Sequence, residues 1–515
     1  MKRTVIFCLL LAMLCATVHP VCAEAAQPPI IYASYMHCFI LGGMANKGQF
    51  GGGESPLRTG VDDATNWPEF EQAIRGWWAP DLAPLAQSGL EAVRKDFDMA
   101  GEAGLDALGL CISNNHLPNS QFAPGMRLMA QVAMTHRVKI IPDLWPGSLT
   151  RDQWQTYGEQ VKAYMDAYPG AFLTYEGKPV ISLGNPMNYG RAVAKARGQK
   201  YNDWDEVQAF FTPWGGPEKC YKILNITWDQ KDMDGGYREA VQAYSIWTAS
   251  YGWGDQQHDV IATQAKRDGK AIAWPVNAAY YGCRTGIANS AESLGVSRCC
   301  DQWRRAIAQR TPFAQVQTWN DFSEDHGITD SNYRGRTLME LTRYFADWFH
   351  TGKAPTITQE KVFLFHHRQL FSAKLSEATI YARSDQWHLT PDSDYLNVVT
   401  LLKKAGTVRV QVGGDAWTLD APAGLHEWLI YVPSTRTEMG AKREAFNHGA
   451  SSYPTTDANR TVTVATHIAA GTPVATLTRR GKTLVSVTSR FPLADTGRWQ
   501  DLSMVGTMAT VPVAR

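Results

Sequence analysis

The sequence predicts an α/β chain: a (β/α)8 TIM barrel followed by an all-β, sandwich-like C-terminal domain. Three observations predict it. From Ile30 to about His350, runs rich in branched and aromatic residues alternate with helix-like segments, which argues for a repeated strand-helix unit and a parallel sheet. Polar and aromatic residues concentrate at the exits of those runs rather than at their entries, where a barrel keeps its active site. From about Ala354 the texture changes to short alternating strands joined by Gly, Pro and Asp turns.

With 515 residues the chain holds one large domain plus a smaller one, each with ample core. Its start, Met1-Lys2-Arg3, the apolar run Thr4 to Ala16 and then Val21-Cys22-Ala23, has the form of a secretory signal peptide. The apolar run is short of the roughly 20 residues a membrane span needs. The expected division is a signal peptide over 1–23, a barrel over 24–353 and a β domain over 354–515, with an exported product that is secreted or periplasmic and keeps no integral membrane segment. The 50 Lys and Arg, two of them Lys2 and Arg3 of the leader, nearly balance the 49 Asp and Glu, so nothing steers the chain to nucleic acid or to an anionic membrane.

Of the nine cysteines, Cys8, Cys15 and Cys22 lie in the signal. The rest permit disulfides in an exported chain, and Cys283 to Cys299 or Cys300 closes the most plausible loop. Buried free thiols are the alternative, favoured for Cys38 and Cys111 in apparent strands. The spacings do not read as a zinc site, and no cofactor is implied.

The expected strands run in order. The first is IIYASYM from Ile30, followed by a long Gly- and Trp-rich insertion, Gly42 to Gly89, long enough to wall a cleft. A helix from about Leu90 places Val93, Phe97 and Ala100 on one face and stops at Gly104. DALGLCIS, KIIPDLW, PVISLG, YKILNITWD, AYSIWTAS, AIAWPVN and FAQVQTWND supply strands two to eight, with helices expected at 125–135, 151–168, 204–211, 256–267, 301–309 and 337–349. Exit residues follow each strand: Tyr35 and His37; Asn114 and His116; Asp143 and Trp145; Asn185; Trp228 and Asp229; Trp247 and Tyr251; Trp274, Asn277 and Tyr280; Trp319, Asp321 and Glu324. The β domain begins at VFLFHHRQL and reaches nearly to Arg515 without a clear catalytic pair or repeat.

The last barrel exit, Trp319-Asn320-Asp321-Phe322-Ser323-Glu324, places two carboxylates three residues apart beside an aromatic and an amide. Glycoside cleavage uses such a pair: one carboxyl group donates a proton to the leaving oxygen, and one ionised group activates water or attacks the sugar. A capped strand end with two solvated acids is the alternative. The 18 Trp and 20 Tyr bear on the choice, because an indole at a strand end stacks on the C–H face of a sugar.

The chain resembles glycoside hydrolase family 71, the endo-α-1,3-glucanases called mutanases, as a divergent member from Ile30 to roughly Val412. IIYASYM, AGLDALGL from Ala103, TWNDFSEDHGI from Thr318 and VFLFHHR from Val362 carry the resemblance. The family pairs an Asp with a Glu three residues later, and these fall on Asp321 and Glu324. The endo-α-mannosidase family 99, a more distant relative, has two glutamates at that spacing. Departures fall on Ser34, where the family has a histidine, on Ser323, where it has a glycine, and on Gly327, where it has a tyrosine. The strand-six motif survives only as Ser245-Ile246-Trp247.

The resemblance implies an inverting hydrolase with Asp321 as base and Glu324 as acid, the carboxyl groups about 6.5 to 9.5 Å apart, working without a metal. The acid must keep its proton near neutrality through burial or a neighbouring acid; Asp325 is one candidate neighbour, with a solvent-facing side chain as its alternative. Asp143 holds a sugar hydroxyl or tunes an acid, or else caps a turn. His37, Asn114, His116, Asp229 and Asn320 are candidate hydroxyl partners, and His326 matches the family histidine. Trp145, Trp228, Trp247, Trp274, Tyr280 and Trp319 are candidate stacking platforms or core filling. The expected partner is a polysaccharide or oligosaccharide, cleaved within an α-glucan. Another α-glycan, such as a mannan or heteropolysaccharide, and a non-catalytic glycan-binding barrel are the alternatives.

Overall fold

The computed structural model describes residues 27–36, 90–112, 123–146, 149–184, 204–226, 236–247, 254–281, 290–291, 294–321, 325–331, 333–376, 393–433, 456–497 and 502–512. Eight parallel strands form the barrel: β1 Ile30–Tyr35, β2 Ala107–Ile112, β3 Lys139–Leu144, β4 Lys178–Gly184, β5 Tyr221–Ile226, β6 Ala243–Ile246, β7 Ala271–Asn277 and β8 Phe313–Gln317. Each pairs with its neighbours in sequence, β1 pairs with β8, and the sheet closes between β3 and β4. Helices α1 Leu90–Glu102, α2 Ala123–Thr135, α3 Arg151–Ala167, α4 Gly254–Arg267, α5 Ser297–Gln309 and α6 Thr337–Thr351 surround it. Shorter turns at Trp204–Val207, Gln208–Trp214, Pro217–Lys219 and Tyr237–Ala240 lie among the described connections.

Local chemistry accounts for the ends of these elements. Thr150 and Gln153 form a capping box at the start of α3, each side chain bonding the other's backbone amide. Gly104 follows α1 at φ +86, and a Cβ there would stand 2.5 Å from Ala346 Cβ, so only glycine fits both the turn and the packing of α1 on α6. The eighth strand is shorter than the apolar run predicts. It stops at Gln317, the Gln317–Thr318 peptide is cis, and the chain turns back on itself.

Strand alternation sorts the barrel's side chains. Outward positions such as Ile31, Ala33, Leu108, Leu110, Trp274, Ala314 and Val316 join the helices in one apolar core. Inward positions at the strand entries, Tyr32, Ala107, Ile141, Val180, Tyr221, Ile223, Ala243, Ala273 and Phe313, form a second apolar cluster that plugs the floor. Above that plug the inward residues turn polar.

Beyond α6 the described residues form two larger sheets and a two-stranded one that pairs Gln369–Leu375 with Ala494–Gly497. Strands β9 Lys361–His367, β10 Asp394–Leu402, β11 Gly424–Val432, β12 Arg460–Val464 and β13 Met504–Thr510 make the larger one. Its Phe363, Phe365, Val399, Leu401 and Leu429 belong to the barrel's own apolar core. The opposite face, with Val362, Leu364, Leu396, Val398 and Ile430, packs on a four-stranded sheet spanning Gly406–Val412, Asp415–Ala421, Val474–Arg479 and Lys482–Thr488. The C-terminal region is therefore a two-sheet sandwich with one sheet seated on the barrel. Among the described residues, no helix is long and apolar enough to cross a membrane.

The expected bridge from Cys283 to Cys299 or Cys300 does not form. Cys299 and Cys300 are free thiols inside α5, and burial pushes the Cys299 thiol up to about 12. Cys220 is also a free, buried thiol and Cys111 is buried beside Asp143, while Cys38 and Cys283 lie outside the described residues.

Candidate active site

The site is built from the polar layer above the barrel floor. Alternation carries Ser34, Ser182, Asn225, Ser245 and Gln315 inward from their strands, and hydrogen bonds link them in two groups. Gln315 Nε2 donates to Ser34 Oγ at 3.1 Å, and Ser245 Oγ donates to Gln315 Oε1. On the other side, Asn225 Nδ2 donates to Ser182 Oγ at 2.8 Å and to Asp143 Oδ1 at 3.2 Å. These bonds satisfy most of the layer internally, with Asn225 Oδ1 left over.

Asp143 ends β3 with no exposed surface, so it neither caps a turn nor presents an oxygen to a sugar in this conformation. Its Oδ2 accepts from Trp145 Nε1 at 2.9 Å, with Cys111 Sγ at 3.8 Å. Burial raises its pKa, against the lowering effect of bonds from Ser182, Trp145, Cys111 and Asn225. Its role is to hold the Trp145 indole. The ring of Trp145 meets that of Trp247 edge to face at 4.7 Å between centroids, and both side chains keep some exposure. Gly184, at the exit of β4, makes room for them: a Cβ there would lie 2.6 Å from both Leu144 O and Trp145 Cε2. The structure thus brings Trp145 and Trp247 together as a partly exposed aromatic corner, with the buried Asp143 carboxylate behind the Trp145 indole.

At the far side of the rim the strand-eight exit folds into a short hairpin. Thr318 N donates to His326 O at 3.0 Å, Ile328 N to Thr318 O at 3.1 Å and Thr329 N to Trp319 O at 3.0 Å. Within it, His326 N and Gly327 N both donate to Asp321 O, at 2.9 and 3.2 Å, and Asp321 N donates to Thr318 Oγ1 at 2.9 Å. The backbone of Asp321 is therefore fixed on both sides, and the residue is nearly buried. Glu324 lies outside the described residues, as do His37, Asn114, His116, Trp228 and Asp229.

Three expected ligand residues instead hold the rim together. Trp319 turns outward, fully buried, and its Nε1 donates to Asp96 Oδ1 of α1 at 2.7 Å. Trp274 also faces the helices and has no exposed surface, because alternation along β7 sends Ala273 inward and Trp274 outward. Asn320 ties β8 to β1: its Oδ1 accepts from Met36 N at 2.8 Å and its Nδ2 donates to Met36 O at 3.3 Å. Asp325 is likewise not solvent-facing but buried, paired with Arg334 at 3.2 Å.

Tyr280 and His326 do come together, their rings 5.4 Å apart edge to face. Burial, and then the charge of Arg334, lower the His326 pKa to about 3, so the ring is neutral at ordinary pH. Among the described residues, neither nitrogen of His326 has a hydrogen-bond partner. The same holds for both amide atoms of Asn277 and for Gln317 Oε1, which stand inward on adjacent strands in register. Asn277 and Gln317 were not among the sequence candidates as ligand residues, nor were Ser182 and Asn225 beside Asp143. Period-two alternation, counted inward from the apolar floor, marks all four.

Among solved structures, the chain is similar to an endo-α-mannosidase of family GH99 from Bacteroides thetaiotaomicron, with a TM-score of 0.40 and 14% identity over 51% of this chain and 80% of that one. It is similar also to a β-glucuronidase from Bacteroides uniformis, with a TM-score of 0.38 and 9% identity over 79% of this chain and 44% of that one. A third is a modular endo-β-1,4-mannanase from Cellulomonas fimi, with a TM-score of 0.31 and 13% identity over 78% of this chain and 89% of that one. These likenesses are too distant to bear on substrate. No curated protein matches the chain. The sequence profile of glycosyl hydrolase family 71 matches residues 84–444, from ahead of α1 through the end of β11, and the chain belongs to that family: it is a glycoside hydrolase.

Proposed function

We propose that this glycoside hydrolase is exported and cleaves an α-linked polysaccharide internally, with an α-1,3-glucan as substrate and Asp321 and Glu324 as its acid-base pair. Family membership supports an α-glucan substrate. The observation that carries the residue assignment is the strand-eight hairpin, which locks the backbone of Asp321 at the barrel mouth through Thr318, His326 and Gly327. Asp321 takes a proton from water as that water attacks the anomeric carbon. Glu324 gives its proton to the glycosidic oxygen as the C–O bond breaks on the opposite face, with inversion. The Trp145–Trp247 corner offers an apolar sugar platform, and the uncommitted polar atoms of Asn277, Gln317 and His326 offer partners for hydroxyls. The leader-like residues 1–23 support secretion or delivery to the periplasm.

A second reading keeps the chemistry and changes the glycan to another α-linked chain. It is favoured by Ser34, which stands where the family has a histidine and is bonded into the barrel interior through Gln315. One experiment addresses both. Protein recovered from the periplasm or medium, with its N-terminus near Glu24, is incubated with α-1,3-glucan and α-mannan beside Asp321→Asn and Glu324→Gln, reading new reducing ends and the anomer released. We expect α-1,3-glucan cleavage with inversion and a loss of about a thousandfold in either variant. Cleavage of mannan alone moves the substrate to the second reading. Binding without cleavage by the wild type means a glycan-binding barrel, and undiminished cleavage by both variants displaces the site.

A further inference from the structure

The hairpin that carries Asp321 rests on the β domain. Asp325, at its tip, adopts φ +55, and its side chain turns away from the barrel mouth. Its Oδ2 accepts from Met504 N at 2.9 Å, at the start of β13, and its Oδ1 lies 3.2 Å from Arg334 Nη2. Arg334 Nη1 donates to the carbonyl of Asp325 itself at 3.0 Å, so one guanidinium grips both the side chain and the backbone of the same residue. Both side chains are 2% exposed. The segment bearing Arg334 is in turn seated on β13. Gly506 N donates to Tyr333 O at 3.0 Å, and a Cβ at Gly506 would come within 3.4 Å of Arg334 Cγ. Arg368 of the β domain covers the ring of Tyr333 at 5.5 Å.

We propose that the C-terminal β domain is a positioning element of the active site, acting through the Asp325–Arg334 pair and the Met504 amide to hold the hairpin on which Asp321 is mounted. Only three residues separate Asp321 from Asp325, and the amide of His326, next in the chain, closes on the carbonyl of Asp321. Releasing Asp325 therefore frees the backbone next to the candidate base. The domain contact itself has a separate anchor. Arg460 of β12 donates to Glu427 at 2.9 Å and to both oxygens of Asp301 in α5, at 2.9 and 2.8 Å. Loss of positioning can thus be told from loss of docking. Neither Asp325 nor Arg334 is a catalytic residue on this proposal; both act through the loop.

The role rests on the proposed strand-eight site, yet its test does not need a substrate. Amide hydrogen exchange is followed in full-length protein, its Arg334→Met, Arg334→Lys and Asp325→Asn variants, and Arg460→Met as the docking control. Arg334→Met should speed exchange at Thr318, His326 and Ile328 by about tenfold or more while the amides of β2 to β6 keep wild-type protection, and Arg334→Lys should recover part of that protection. Asn tolerates positive φ, so Asp325→Asn keeps the backbone conformation of the hairpin while removing the charge, and it should loosen the same amides. On the substrate identified for the wild type, kcat should fall about tenfold with KM nearly unchanged, since the aromatic corner is untouched. Unchanged hairpin exchange in Asp325→Asn, or equal loosening in Arg460→Met, overturns the proposal. Loosened hairpin amides in a protein that cleaves no α-glucan would count against the substrate and leave the positioning role standing.

Discussion

Asp96 shows how much of this rim depends on single side chains that no ligand touches. It sits in α1 behind the strand exits, accepting from Tyr35 Oη at 2.6 Å and from Trp319 Nε1 at 2.7 Å. Burial pushes its carboxyl up to about 6, against those two bonds. A carboxyl raised in the folded state contributes stability that is fully present below its unfolded pKa and is lost as pH rises through the folded value. Between about pH 4 and 7 the wild type should therefore lose roughly 3 kcal/mol relative to Asp96→Asn, which cannot ionise. Thermal unfolding of both proteins across that range measures it, and a gap that stays constant with pH would mean Asp96 titrates normally. The Asp321–Glu324 pair was legible in sequence as a motif, but the inward or outward sense of Trp274, Trp319 and Asn320 was not. An aromatic at a strand exit looks the same in a one-dimensional reading whether it faces a sugar or a helix. The partner that decides it for Trp319 is Asp96, more than two hundred residues earlier.

The barrel strands were the most legible elements. Their branched, apolar runs are buried on both faces, and all eight form within a few residues of the expected limits. The sixth stops early at Ile246, and so does the eighth, at Gln317. Its run continues as TWND, and nothing local announces that the chain leaves the sheet after Gln317 and pairs Thr318 with the segment from His326 to Ile328. Long-range pairing fixed that end, through Trp319 N on Ser34 O at 2.8 Å and Asn320 on Met36. The exit of β4 carries a sharper consequence. At Gly184 a methyl group has backbone on one side and the Trp145 indole on the other, so Gly184→Ala must push the indole off Asp143. We expect a raised KM with kcat nearly unchanged on the wild-type substrate, and a lower Tm by several degrees. Wild-type kinetics in this variant would mean that the Trp145 ring does not meet the sugar.

Across the whole molecule the two regions share one interior. Phe363, Phe365, Val399, Leu401 and Leu429 of the larger β sheet lie in the same apolar core as Phe345 and Phe349 of α6. The change of sequence texture near Ala354 made a second domain visible, but no local pattern could disclose that its sheet is buried on both faces. Cutting the chain before the β domain would bare that core, so residues 24–353 alone should be insoluble or molten, and the intact protein should unfold in a single transition by calorimetry. Two well-separated transitions would show that the halves fold independently. The Arg460 fork that spans the seam has a bearing on descent as well as on folding. A recombination that exchanged either half for a relative's would part Arg460 from Asp301 and break the shared apolar core, leaving the guanidinium only Glu427 of its own domain. Cassette shuffling is closed to such a chain, and anyone grafting its specificity elsewhere must carry both halves together.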